Sequence, residues 1–318
     1  HPVIEWLHTV LDERECAQWL YGHGDRLPLT GGYAFLNAMT AKYGDARAAR
    51  FHRLLLEPRA VHFYHSRQRS NHYHGLLSGF MEYDPEADRR ALGGAPETPG
   101  DGVAHLKHFP DSGVAHYRDD RLGAALALRC GPYAGRHAWL SSACPCDRLG
   151  DAPGAGHFVL FLSGQPLLVT PDSPYRLNTF LRSCLLVDGR GQYGDTGYPM
   201  SIPSFPMRGE EIESVQWDAA ARAGRVRLNL RPAYPEELGM ALYLREFVFT
   251  GERRILCRDE VLFDRPRQMA WLFQGQRERG VALAGLCAHF GRGPTLRVTP
   301  RRVEGPALTA TLRETEVV

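Results

Sequence analysis

The sequence predicts an α+β protein in which a helical layer leads into a large antiparallel β-sandwich. Three observations carry this reading. Apolar residues recur at helical spacing up to about residue 80. The composition then turns to Pro, Gly, Asp and Glu between Glu86 and Gly102. Beyond that stretch, short apolar runs bounded by Gly, Pro and Asp follow one another with no helical pattern between them. The expected organisation is a helical region over 1–85, a linker or crossing over 86–107 and a sandwich over 108–318. A chain of 318 residues exceeds what one compact core usually holds, so two layers or domains are expected.

In the first region, Trp6, Leu7, Val10, Leu11, Trp19 and Leu20 recur near helical spacing, and Gly22-His23-Gly24-Asp25 with Pro28 ends that element. A second helix is predicted from Tyr33 to Tyr43, with Phe35, Leu36 and Met39 as its apolar face and Gly44-Asp45 as its stop. A third is predicted from Ala46 to Leu56, ending before Pro58. In the sandwich region the predicted strands are 124–130, 157–162, 166–170, 184–188, 225–231, 241–250, 254–263, 269–274, 282–290 and 296–299. Ser163-Gly164-Gln165 reads as a tight hairpin between two of them, and Asp188-Gly189 as turn chemistry.

Composition excludes several classes. Hydrophobic content of 43%, charged content of 23% and a net charge of +2 lack the basic excess that binding a phosphate backbone requires, so nucleic acid is not an expected partner. Lys stands only at Lys42 and Lys107; the Arg excess reads as a genomic bias or as a preference for two-pronged clamping of carboxylates and sulfates. Seven scattered cysteines form no disulfide framework, and Cys144-Pro145-Cys146 lacks the second pair that a zinc site needs. No apolar run approaches the roughly 20 residues that cross a bilayer. The opening at His1 reads as a processed or excised piece without a signal peptide.

The middle of the chain carries a family resemblance. His108-Phe109-Pro110-Asp111-Ser112-Gly113-Val114, then Leu126-Ala127-Leu128-Arg129-Cys130-Gly131-Pro132, then Gly156-His157-Phe158-Val159-Leu160-Phe161 with Gly164-Gln165-Pro166-Leu167-Leu168, then Leu185-Leu186-Val187-Asp188-Gly189-Arg190-Gly191-Gln192 closely resemble the heparinase II/III-like polysaccharide lyases. Tyr83-Asp84-Pro85 is similar to that family's helix-to-sandwich crossing, and Gly24-Asp25 with Tyr43-Gly44-Asp45 to the last helical hairpin of its incomplete α/α toroid. The resemblance implies a toroid remnant followed by the sandwich, β-elimination on an acidic polysaccharide, and a periplasmic or secreted location. It also implies a zinc site, but the three ligand positions are held by Ala152, Thr170 and Arg182, and the usual His positions by Gly150 and Ala152. A lost zinc site and no cofactor are therefore expected. The family's Asn and Tyr lie upstream of the Gly-Asp hairpin, and 23 residues precede Gly24, so the expectation is either that another portion of the chain supplies them or that the protein lacks them. The competing expectation is a catalytically inactive relative that binds acidic glycan or serves as a scaffold.

Candidate residues follow from the chemistry that elimination requires: a partner for the uronate carboxylate, a base for the C5 proton and an acid for the leaving oxygen. The densest set is Arg67, Arg69, Asn71, His72, Tyr73 and His74, with the two imidazoles as acid and base, Arg and Asn at the carboxylate and Tyr stacking on sugar. The plain reading is a polar segment at the crossing. His157 is the third catalytic candidate, or a structural hydrogen-bonding residue opening its strand. Arg136 and His137 read as cleft-facing or as ordinary loop residues, Arg182 as a cation for an anionic chain, and Arg190 as a substrate contact or a hairpin-turn residue. Trp139, Trp217 and Trp271 read as core.

Overall fold

The computed structural model describes residues 11–12, 17–18, 27–28, 33–46, 48–50, 53, 84–93, 104–131, 136, 153–162, 165–169, 178–195, 209–251, 254–275, 281–284, 287–290 and 296–298. The chain divides into one compact unit of residues 1–20 with 26–101 and another of 21–25 with 102–318.

In the first unit the predicted second helix forms as α1 (Tyr33–Tyr43). Leu36 and Met39, three positions apart, are both buried. Gly44 adopts φ +61 and its N–H closes on Thr40 O at 2.9 Å, so the stop is the left-handed turn that Gly makes at low cost. Asp45 then accepts from Ala48 N–H and starts the helical residues that follow. Two sequence expectations fail here. The described residues within the predicted first helix are strands instead: β1 (Leu11–Asp12) and β2 (Ala17–Gln18) join β3 (Leu27–Pro28), which follows the predicted stop, in a three-stranded antiparallel sheet. A handful of apolar residues at irregular spacing does not separate a helix from short strands. The second failure is in the expected linker, which holds α2 (Pro85–Leu92). Asp84 accepts from Glu86 and Ala87 N–H, Pro85 fills the first turn, and Glu86 and Asp88 face the positive helix end. The same Pro, Asp and Glu that read as linker composition are a helix start. Asp88 is buried and pairs with Arg53 at 3.2 Å.

In the second unit, β4 (Ala104–Phe109), β5 (Val114–Asp119), β6 (Ala124–Arg129), β7 (Phe158–Leu162) and β8 (Gln165–Leu168) form one antiparallel sheet in chain order. The β7–β8 register pairs Leu162 with Gln165, as the predicted tight hairpin requires. Next comes β9 (Leu185–Val187), which leads into a second sheet of β10 (Glu211–Asp218), β11 (Ala223–Asn229), β12 (Met240–Thr250) and β13 (Ile255–Phe263). The short β14 (Met269–Trp271) returns to pair with β9. Finally β15 (Val281–Ala284), β16 (Cys287–Phe290) and β17 (Leu296–Val298) form a three-stranded meander where one long strand and one short one were expected.

The two large sheets share one core. Tyr117 of β5 stacks on Phe249 of β12 at 4.3 Å and meets Trp217 of β10 edge-on at 5.9 Å, while Phe158 of β7 packs edge-on against Phe247 at 4.9 Å. Leu126, Leu128, Val226 and Leu228 complete the layer, each contributing about 1.5–3 kcal/mol by burial. Trp217 and Trp271 pack against this core as expected, and Trp139 lies outside the described residues. Sequence reading missed β4, β5 and β10. β5 buries nearly every residue, His116 and Asp119 included, and so shows no alternation. In β10 a register shift between Ile212 and Ser214 breaks the period of two. The fold is thus built mainly of antiparallel sheets with few helices, and among the described residues no helix is long and apolar enough to cross a membrane.

Candidate functional site

The polar residues of the second unit converge on the point where β7, β9 and β12 approach one another. Gly156 precedes β7 with φ +79, a conformation that brings its N–H to Arg129 O at 2.7 Å. A Cβ there would lie 2.5 Å from Leu230 Cδ1, so only Gly fits. The next residue, His157, is fully buried, and its Nδ1 accepts the backbone N–H of Ser183 at 2.8 Å. An acceptor Nδ1 places the proton on Nε2 and makes the ring neutral. Burial, reinforced by the guanidinium groups of Arg182, Arg245 and Arg129, holds its pKa well below the ordinary imidazole value.

Arg245 is the centre of the network. In β12 the inward positions are Tyr243, Arg245, Phe247 and Phe249, all buried. A guanidinium in such a row requires partners for its charge and its five donors. Nε and Nη2 each reach the carboxylate of Asp259 on β13 at 2.7 Å. Nη1 donates to the carbonyls of Gly156 at 2.8 Å and Ser183 at 3.0 Å, and Nη2 also to Tyr243 Oη. The Asp259 carboxylate takes a further bond from Trp271 Nε1 at 2.7 Å. One ion pair thus ties β12 and β13 to the His157 loop, the Ser183 bend and β14. Beside it, Gln192 exchanges bonds with both backbone groups of Ala155, and Tyr234 Oη donates to Leu185 O. Burial pushes the Tyr234 and Tyr243 phenols well above their ordinary pKa, so both remain hydrogen-bond donors.

In this arrangement the His157 imidazole is buried and its Nδ1 is occupied by the Ser183 N–H. The sequence candidates fall around it as follows. His157 lies inside the network. Arg182 is buried at the bend next to Ser183. Arg190 is exposed after a hairpin turn in which Asp188 and Gly189 both have positive φ, and it pairs with Glu237 at 2.8 Å. Gln192, two residues further on, is buried. Arg136 is half-exposed and pairs with Glu211 at 3.3 Å. Arg67, Arg69, Asn71, His72, Tyr73, His74 and His137 lie outside the described residues, as do Gly150, Ala152, Thr170, Cys144 and Cys146. Among the described residues no three His, Cys, Asp or Glu side chains gather as metal ligands.

Sequence reading missed Arg245 and Asp259. Their signal was an Arg in the inward register of an otherwise apolar strand. A shallow open cleft of about 580 Å³ lies along β10–β12, where Arg225 bonds Gln216 at 2.6 Å and Arg258 approaches Glu246 at 3.4 Å. Its charges are matched within the chain and bring no acid-base pair together.

No family model and no curated protein matches the chain. Among solved structures it is similar to a heparan sulfate lyase HepC mutant from Pedobacter heparinus, at 12% identity and TM-score 0.49 over 92% of this chain and 37% of that one. It is also similar to a heparinase III, the BT4657 gene product, at 12% identity and TM-score 0.43 over 91% of this chain and 45% of that one. The chain spans less than half the length of either. These likenesses concern overall arrangement and carry nothing about activity.

Proposed function

We propose that this chain is the sandwich-bearing part of a polysaccharide lyase resembling heparinase II/III, acting by β-elimination on a uronate-containing acidic polysaccharide, with the sandwich as scaffold. The observation that supports this reading is the 108–192 stretch that carries the family resemblance. Where described, it runs as β4 to β9 in chain order, with tight turns at the Gly-bearing positions. In the elimination, a base takes the C5 proton, the electron pair forms the C4–C5 double bond, and the glycosidic oxygen leaves C4 with a proton from an acid. In this proposal His72 and His74 take the acid and base roles, and Arg67, Arg69 and Asn71 neutralise the uronate carboxylate. Tyr73 stacks on the sugar, and Arg136, His137 and Arg190 meet the anionic chain. His157 and Arg182 support the scaffold from within, and no zinc takes part. A secreted or periplasmic location belongs to the same proposal.

The alternative is a non-catalytic module that binds acidic glycan. What supports it is the burial of His157, a catalytic candidate whose Nδ1 accepts the Ser183 N–H. The test is release of unsaturated uronate from heparan sulfate, heparin, chondroitin, hyaluronan and alginate, followed by the ultraviolet absorbance of the new double bond. Turnover is expected in the wild type, with loss of about a hundredfold or more in His72→Ala and His74→Ala variants confirmed to be folded. Absence of turnover on every glycan, with salt-sensitive binding retained, would reject the lyase and leave the binding module.

A further inference from the structure

β13 is the terminal strand of its sheet: it pairs with β12 on one side, and no described strand pairs with its other edge. None of its nine residues is buried, and Leu262 is 59% exposed. Thr250 N–H donates to Arg254 O where the hairpin closes. By antiparallel alternation, Leu256, Arg258, Glu260 and Leu262 therefore direct their backbone groups to β12, and Ile255, Cys257, Asp259, Val261 and Phe263 direct theirs to the open edge. No Pro interrupts the strand, and the register shift in the β12–β13 pair is confined to its far end, at Met240/Leu242. Of the devices that usually close an edge to pairing it carries only charge, at Arg258, Asp259 and Glu260.

Its sequence, Ile255-Leu256-Cys257-Arg258-Asp259-Glu260-Val261-Leu262-Phe263, is complementary to itself when reversed. We propose that β13 pairs antiparallel with β13 of a second copy about a two-fold axis at Asp259, joining two four-stranded sheets into one. A two-fold axis normal to the sheet sets some residue opposite its own copy and matches outer face with outer face. Centred on Asp259, the outer face pairs Leu256 with Leu262, Arg258 with Glu260, and then the same pairs in reverse. Centring on Arg258 would oppose Arg to Arg, and centring on Glu260 would oppose Glu to Glu. Charge therefore disfavours the two adjacent registers, and only the Asp259 register pairs Arg258 with Glu260. The two Asp259 side chains meet on the inner face, where each is neutralised by its own Arg245 and bonded by its own Trp271.

The experiment reads molecular mass by sedimentation equilibrium across a wide concentration range. The wild type is expected to dimerise. Arg258→Glu alone and Glu260→Arg alone each set like charges opposite one another twice, and each is expected to raise the dimer dissociation constant about tenfold or more. Mixing these two variants restores opposite charges at every outer position, so the mixture is expected to return to the dimer. Leu262→Lys, at an exposed position that the monomer fold does not need, provides a further variant and is also expected to weaken the dimer. A wild type that stays monomeric at every concentration would overturn the proposal. So would a dimer indifferent to all three substitutions, or a mixture no more associated than its parts.

Discussion

Replacing Asp259 with Ala tests whether the Arg245 network holds the sandwich together. The carboxylate accepts two bonds from Arg245 and one from Trp271, all at 2.7 Å, and the Arg245 and Asp259 side chains are 3% and 10% exposed. Truncation leaves a guanidinium buried without its counter-charge, a change that costs about 3–5 kcal/mol. The orphaned Trp271 N–H adds about 1 kcal/mol or more. Against a typical total stability of about 5–15 kcal/mol, that loss moves the urea midpoint far to lower concentration or unfolds the protein. The controls separate charge from packing. Asp259→Asn keeps one acceptor and is expected to lose less than Asp259→Ala. Arg245→Met combined with Asp259→Leu removes both charges together and is expected to lose less than Asp259→Ala alone, because no uncompensated charge stays behind. The assay is equilibrium urea unfolding followed by tryptophan fluorescence and far-ultraviolet dichroism. A loss below about 1 kcal/mol for Asp259→Ala, the size of an exposed ion pair, would refute the claim that this pair works as a buried one.

Two further predictions rest on the same region. His157 has its pKa depressed in the fold, so the unfolded chain binds a proton that the folded one refuses. Stability should be full above the ordinary imidazole pKa of about 6.5 and fall below it by up to about 1.4 kcal/mol per pH unit. His157→Asn, which still offers an oxygen to the Ser183 N–H, should flatten that slope in urea titrations compared with wild type, and an unchanged slope would show that other groups cause it. Gly156→Ala combines a left-handed φ with overlap on Leu230 and should cost about 2 kcal/mol or more in thermal unfolding. Adding Leu230→Ala should relieve the overlap but not the backbone strain, so full recovery would contradict the assignment.

Local chemistry made much of this protein legible from sequence alone. The strand pattern after residue 120, the stop at Gly44 and the Asp188-Gly189 turn each depend on neighbours in the chain: alternation, a capping glycine, a pair of residues that tolerate positive φ. The strands missed were those in which tertiary burial overrides the alternation, as in β5, or a bulge interrupts it, as in β10. The helix at Pro85 was hidden by the opposite cause, since capping residues and linker residues share one composition. The role of His157 depended on a backbone N–H at residue 183, 26 positions away, and that of Arg245 on Asp259 across a strand pair, with carbonyls at 156 and 183. Sequence determined that an Arg and a His stand at inward or strand-opening positions. Tertiary structure alone decided which carboxylate, carbonyls and N–H they meet, because the surroundings of a buried charge or imidazole are the groups folded around it.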